Sequence, residues 1–327
     1  MIYIETNSTD VFYNFAAEYY FAAIKPIDET VFLFWRTTPS LIIGKYQNTL
    51  EEIDNDYAIK HNITVARRMS GGGTMYIDMG GWQFTFIEKD KNGEIHFAEY
   101  LQPVIDALKE LNIKAEFNGR NDLLIDGRKI SGNSQYKLGD RTVHHGTLLF
   151  DNDIEQMVRA TTVDEYKITS KSIKSVRERV TSIREHLEHD IDADEFKRLM
   201  VEHIMGGKGY KTYTISDEEK VILEKIADER FRPWEVVYGK NPKFDITNKK
   251  HFKGGTVEAK LNVNRGMITD CALYGDFFGL ERVNELQEAL VGCPYRKDDV
   301  IDVIKQHGLE NMIHDVSAEE LAELIVV

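Results

Sequence analysis

Apolar positions along the first 150 residues change period several times, and each change marks an element. Asp10 stands as an N-cap before an aromatic-rich helix from Val11 to about Ala23, where Phe12, Phe15, Ala16, Tyr19 and Tyr20 fall close to helical spacing. Short β-branched and aromatic runs follow at Val31 to Trp35, Leu41 to Ile43, Thr64 to Arg68, Met75 to Ile77 and Trp82 to Ile87. Gly, Pro or polar residues divide them, which predicts a mixed sheet. From His96 to Leu111 the helical period returns, with Phe97, Leu101, Val104, Ile105, Leu108 and Leu111 on one face and Pro103 as a kink or start. Leu123 to Ile125, Arg128 to Gln135 and Val143 to Phe150 then read as a meander, with turns at Asp126-Gly127 and near Leu138 to Asp140.

Helical patterns resume at Ile154 to Ala160, Ala193 to Met205 and Asp217 to Arg230. Lys240 to Lys253 breaks the periodicity with Pro, Asn, Asp and lysines, and the domain boundary is placed there. Beyond it, Gly255 to Val263, Asn264-Arg265-Gly266 and Met267 to Leu273 read as a hairpin, followed by helices near Leu280 to Leu290 and Asp298 to His307. The expectation is an α+β protein: mixed and antiparallel sheets flanked by helices over residues 1–245, and a smaller α+β domain over 246–327.

A chain of 327 residues accommodates one large core and a smaller one. No segment approaches the roughly 18 apolar residues of a membrane span. The first ten residues carry neither a basic n-region nor an apolar h-region, so no export or transit signal is expected. Cys271 and Cys293 stand alone in the last quarter, too few for a disulfide framework or a zinc cluster, which suits a reducing cytoplasm. The net charge of -14 opposes binding to a phosphate backbone by bulk electrostatics. Neither nucleic acid nor membrane is an expected partner.

The first segment that carries chemistry runs Arg67-Arg68-Met69-Ser70-Gly71-Gly72-Gly73-Thr74-Met75-Tyr76. Three glycines are costly to order, and their use is to bring backbone N–H groups close to a ligand such as a phosphate or adenylate. The arginines add permanent charge in a fork suited to phosphate. No Gly-Lys-Ser/Thr follows, so it is not a Walker A loop. A flexible β-turn with a surface arginine pair is the alternative for this segment alone.

The second segment is Gly119 to Asn133. With Asp126-Gly127 as a two-residue turn, Leu124 pairs with Lys129 and Asp122 with Ser131, and alternation puts all four on one face. A lysine on a β-patterned strand is costly to bury unless an anion meets it. An acyl carboxylate plus an α-phosphate is such an anion, with Asp122 as a candidate for holding Mg²⁺ or orienting the cation. An exposed hairpin with a surface ion pair is the alternative. In Val143 to Phe150, the adjacent His144 and His145 face opposite sides and cannot readily chelate one ion, so no catalytic histidine is assigned; Gly146 marks a close approach to a ligand or a bulge. Arg177-Glu178-Arg179-Val180-Thr181-Ser182 after Lys167, Lys171 and Lys174 is a basic island, either a solvated face or a flap closing on a nucleotide.

Together these segments resemble the lipoate-protein ligase A family. The run from Arg67 to Asp78 is similar to its glycine loop, Gly119 to Asn133 to its Asn-Asp and Lys-Ile-Ser-Gly block, and His144 to Leu149 to its His-His-Gly-Thr-Leu-Leu strand. Phe34-Trp35-Arg36, Ile43-Gly44 with Gln47-Asn48, and Ser175-Val176-Arg177 fit in the same order. The resemblance implies a biotinyl/lipoyl ligase-like catalytic domain that turns lipoate and Mg²⁺-ATP into lipoyl-AMP. It then passes the lipoyl group to a lysine of lipoyl-domain carriers, the E2 of 2-oxoacid dehydrogenases or the glycine-cleavage H protein. Carried over by position, Arg68 and Gly71, Gly72, Gly73, Thr74, Met75 and Tyr76 would bind ATP or the adenylate. Lys129 would touch both lipoate and the α-phosphate, while Trp35 and Gly72 would line the lipoate pocket. A transferase of the same fold needs a cysteine thioester, and this chain has no cysteine before Cys271. A biotin ligase would carry a different arginine-glycine loop.

Overall fold

A computed structural model describes residues 1–90, 95–161, 176–238, 246–279 and 282–326. Lys167, Lys171, Lys174 and Ser175, and the stretch 239–245 that holds the first part of the expected boundary, lie outside the described residues.

The strand Val31–Trp35 shows how the core is laid down. Its alternation sends Val31, Leu33 and Trp35 to one face and Phe32 and Phe34 to the other, and all five are buried. A strand buried on both faces belongs in the middle of a sheet. It lies in an eight-stranded sheet whose spatial order is Thr212–Tyr213, Ile2–Ile4, Val31–Trp35, Trp82–Lys89, Arg141–Leu148, Arg128–Leu138, Asp122–Ile125 and Glu116–Phe117. The first three run parallel and the rest antiparallel. On one face lie the helices Val11–Tyr19 and Asp217–Ile226. On the other, Ala98–Glu110 and Ala193–Ile204 bury Leu101, Val104, Leu108, Phe196 and Met200 against Phe84, Phe86 and Phe150. Each such side chain contributes about 1.5–3 kcal/mol by leaving water. Asp10 caps the first helix by accepting from Phe12 N–H at 2.8 Å, as its position predicts.

The single mixed sheet expected over residues 31–87 divides in two. Ser40–Ile43 pairs parallel with Thr64–Arg67 and antiparallel with Met75–Ile77 as a separate three-stranded sheet, which presents the loop between residues 67 and 75. A third sheet, Ile246–Phe252, Gly255–Asn264 and Met267–Gly275, packs on helices Val283–Leu290, Lys297–Gln306 and Ala318–Ile325. Its hairpin turns at Arg265-Gly266, both with positive φ, as the sequence predicts. The architecture is α+β. Among the described residues no helix is long and apolar enough to cross a membrane.

Candidate active site

The glycine loop is tied down from inside. Arg68 is 4% exposed, and its guanidinium donates to Ile42 O at 3.1 Å, Gly71 O at 2.7 Å, Gly73 O at 2.8 Å and Ser70 Oγ at 3.1 Å. Burial, with Arg67 alongside, pushes its pKa down to about 9, so it stays charged at neutral pH. No carboxylate meets it among the described residues; carbonyl dipoles offset its charge. Arg67 plays a different part: it donates to Gly44 O, Gln47 O, Val236 O, Val237 O and Thr49 Oγ1, stapling the chain around the loop. The alternative of a flexible turn with a surface arginine pair is therefore excluded.

The three glycines have separate reasons. Gly71 has no room for a side chain, since a Cβ there would stand 2.2 Å from Phe277 O. Gly72 takes φ +90°, which glycine adopts at least cost, and its N–H donates to Phe277 O at 3.0 Å. Gly73 has neither constraint. Ser134 Oγ donates to Gly71 O at 2.8 Å, and Thr74 Oγ1 donates to Gln47 Oε1 at 2.8 Å. Phe278, next to the carbonyl that holds Gly72, packs 5.4 Å from Phe97 in the catalytic core.

The hairpin after Asn121 supplies the second cation. Asp126 and Gly127 both have positive φ and form the expected two-residue turn, with Leu124 opposite Lys129. The expected pairing of Asp122 with Ser131 is incorrect. The ladder shifts by one residue between Leu123 and Leu124, so Asp122 faces Gly132 and Ser131 faces Leu123. The extra residue leaves Ile130 fully buried in the apolar cluster, yet Lys129 Nζ still reaches Asp122 Oδ1 at 2.7 Å. Gly132 makes room for this pair: a Cβ there would stand 3.0 Å from Lys129 Nζ.

Loop and hairpin enclose a cavity of about 290 Å³ lined by Arg68, Gly72 to Tyr76, Asn121, Lys129, Gly132, Asn133, Ser134, His145, Val180 and neighbours. The structure thus brings together Arg68, Gly72, Gly73, Thr74, Met75, Tyr76 and Lys129. Asp122 stands behind Lys129, and Gly71 presents its carbonyl to Arg68 and Ser134. Trp35 does not reach the cavity wall; it is 2% exposed, edge-on to Phe15, with its indole N–H donating to Thr85 Oγ1 at 3.3 Å. Val180 brings the described end of the basic island to the cavity, and Thr181 N–H donates to Lys129 O at 3.0 Å. Gly146 marks no bulge. Its strand pairs without a break, and the space a Cβ would need is filled by Asn133 Oδ1 and the Phe84 ring.

The two histidines do face opposite ways. His144 is fully buried, its ring is stacked on Tyr100 at 4.7 Å and has no hydrogen-bond partner among the described residues, and it is held neutral by burial and by His145. His145 lines the cavity and bonds both Ser70 and Glu18. The sequence assigned no role to Glu18, Ser134, Gln47, Asn121 or Asn133, although Gln47, Asn121 and Asn133 stand in the segments that carry the resemblance. For Glu18 a signal was present, because it is the only charged residue between Val11 and Ile24.

Comparison with known proteins agrees with this geometry. Residues 10–205 match the model of the lipoyl protein ligase A/B catalytic domain, and residues 241–325 that of the bacterial lipoate protein ligase C-terminus. Lipoate-protein ligase 1 of Staphylococcus aureus is 38% identical over 320 residues, 98% of each chain. The lipoate-protein ligase LplJ of Bacillus subtilis is 38% identical over 330 residues, 99% of this chain and 100% of its own. In fold, P. falciparum LipL1 in complex with lipoate superposes with a TM-score of 0.78 at 24% identity, covering 93% of this chain and 94% of its own. A lipoate-protein ligase A bound with ATP gives 0.61 at 23% identity, over 73% and 97%. With both parts of the chain matched and close relatives aligned end to end, this protein belongs to the lipoate-protein ligase family and is an enzyme of that class.

Proposed function

We propose that the cavity between the glycine loop and the Asp122–Ile125 hairpin adenylates lipoate, and that residues 1–245 form the catalytic domain and 246–327 an accessory one. The observation that carries this reading is Arg68, a buried guanidinium with no carboxylate partner among the described residues, set in a cavity wall that also holds Lys129. Such a wall suits an anion of high charge density. The lipoate carboxylate attacks the α-phosphorus of ATP, an acyl–phosphate bond forms, and the bond to the β-phosphate breaks to release pyrophosphate. Lys129 leaves Asp122 to bridge carboxylate and α-phosphate, while Arg68 and the backbone of Gly72 to Tyr76 hold the adenylate. The amine of a carrier lysine then attacks the acyl carbon and AMP departs. Asp122 or a phosphate oxygen takes the proton that the amine loses.

Mg²⁺ fits as a companion of the nucleotide rather than a resident ion. Asp122 is the one carboxylate beside Lys129, and no group of three metal-ligating side chains exists among the described residues. When bound with ATP, Mg²⁺ neutralises phosphate charge, with Asp122 as its candidate protein ligand. The carriers are lipoyl domains, those of 2-oxoacid dehydrogenase E2 or the glycine-cleavage H protein, and the enzyme works in the cytoplasm. A cysteine route has no support here: Cys271 lies in the C-terminal sheet, and burial pushes its thiol up to about 12.

The test is ATP–pyrophosphate exchange with lipoate, octanoate or biotin, followed by mass analysis of a lipoyl domain incubated with enzyme, lipoate and Mg²⁺-ATP. Exchange driven by lipoate and a lipoyl mass gain on one lysine are expected; exchange with biotin alone would overturn the reading.

A further inference from the structure

Glu18, Ser70 and His145 come from a helix, the glycine loop and a central strand, and they meet in one buried row. Ser70 Oγ lies 2.6 Å from His145 Nε2, and His145 Nδ1 lies 3.2 and 3.3 Å from the two Glu18 oxygens. Beyond Glu18, Thr85 Oγ1 donates to Glu18 Oε1 at 2.6 Å and Trp35 donates to Thr85. At the other end, Arg68 Nε donates to Ser70 Oγ at 3.1 Å. Every one of these side chains is buried.

Proton accounting gives the row a direction. A carboxylate only accepts, so the tautomer of a neutral ring that suits Glu18 has its proton on Nδ1 and leaves Nε2 to accept. Ser70 therefore donates its O–H to Nε2, which frees its lone pairs for the Arg68 Nε–H. Nucleophilic serines share this wiring. Ser70, however, is 1% exposed and stands outside the cavity wall, while His145 and Arg68 are part of it. Attack by Ser70 on a substrate is thus not what the row is built for.

We propose that His145 is a positioning residue: Glu18 fixes its tautomer, and through Ser70 it sets the direction of the Arg68 guanidinium that meets the anion in the cavity. The remaining contacts of Arg68 are to carbonyls of the same loop and of Ile42, so among the described residues Ser70 is its one side-chain acceptor. A cation displaced by about 1 Å from a reacting phosphate costs on the order of 10²-fold in rate. This inference rests on the adenylation reading.

The test uses the full chain and two amides that imitate different halves of the imidazole. The end of a glutamine side chain reaches the place of Nε2 and can accept from Ser70. Asparagine reaches only the place of Nδ1, so it keeps Glu18 and loses Ser70. In lipoate-dependent exchange, His145→Asn is expected to lose on the order of 10²-fold in kcat, while His145→Gln stays within about tenfold of wild type, as for loss against retention of one buried acceptor. Ser70→Ala should reproduce the asparagine variant, and the double variant should be no worse than either alone, because one row cannot be broken twice. Thermal melting of each variant separates misfolding from misdirection. Equal losses for His145→Gln and His145→Asn, or fully additive losses for His145→Asn and Ser70→Ala, would overturn the relay and leave His145 as packing. Failure of the wild-type protein to exchange with lipoate would overturn the parent reading instead, and needs no variant to detect.

Discussion

Two cations serve one cavity, and they are held in opposite ways. Arg68 is buried, has no carboxylate partner among the described residues, and is fixed by four acceptors of the chain that surrounds it. Lys129 is 39% exposed in its side chain, paired with a 22% exposed Asp122, and carried on a hairpin edge. A half-exposed ion pair contributes little to stability and gives way readily to a better anion. Four buried hydrogen bonds to one guanidinium do not. The glycine loop thus holds a fixed charge, and in the proposed mechanism the hairpin supplies one that exchanges partners.

Substitutions should separate the two. Arg68→Met takes the guanidinium donors away from the Ile42, Gly71 and Gly73 carbonyls, of which Gly71 keeps Ser134, so a loss on the order of 3 kcal/mol in stability and about 10³-fold in exchange is expected, read by denaturant unfolding and by pyrophosphate exchange. Unchanged stability would mean that the loop is not built on Arg68. Lys129→Ala should cost about 10²-fold in exchange while the unfolding midpoint stays near that of wild type; normal exchange kinetics would remove Lys129 from the mechanism. Asp122→Asn keeps the shape of the pair and removes its charge, with a loss of at most about 10²-fold in transfer to the carrier expected, the weak end of general-base effects. A change in exchange alone would place Asp122 with the metal instead. Smallest of all, Cys271→Ser with Cys293→Ser should leave transfer from synthetic lipoyl-adenylate nearly unchanged, because no thioester forms; a folded double variant without transfer would reinstate a cysteine.

The same contrast marks what the sequence could disclose. Local chemistry was legible: the Asp10 cap, the Asp126-Gly127 and Arg265-Gly266 turns, and the glycine loop each depend on neighbours a few residues away. The approach of Lys129 to Asp122 was legible too, although by the wrong register. A one-residue shift beside Leu123 follows from seating Ile130 in the apolar cluster, and the alternation of a regular strand does not reveal it. The row of Glu18, His145 and Ser70 was hidden for a different reason. Its contacts span 127 and 75 residues, and only the folded sheet brings them together. Nor could pattern alone say that Phe277 would occupy the Gly72 amide, since that contact joins the glycine loop to the C-terminal part of the chain.

The exchange of partners by Lys129 can be measured directly by amine labelling of the wild-type enzyme, with and without a non-hydrolysable lipoyl-adenylate analogue, and mass analysis of the peptide that carries it. The account predicts that Lys129 is modified in the free enzyme and protected once the analogue is bound, while exposed lysines far from the cavity, such as Lys220 and Lys305, label equally in both states. Equal labelling of Lys129 with and without a bound analogue would contradict it.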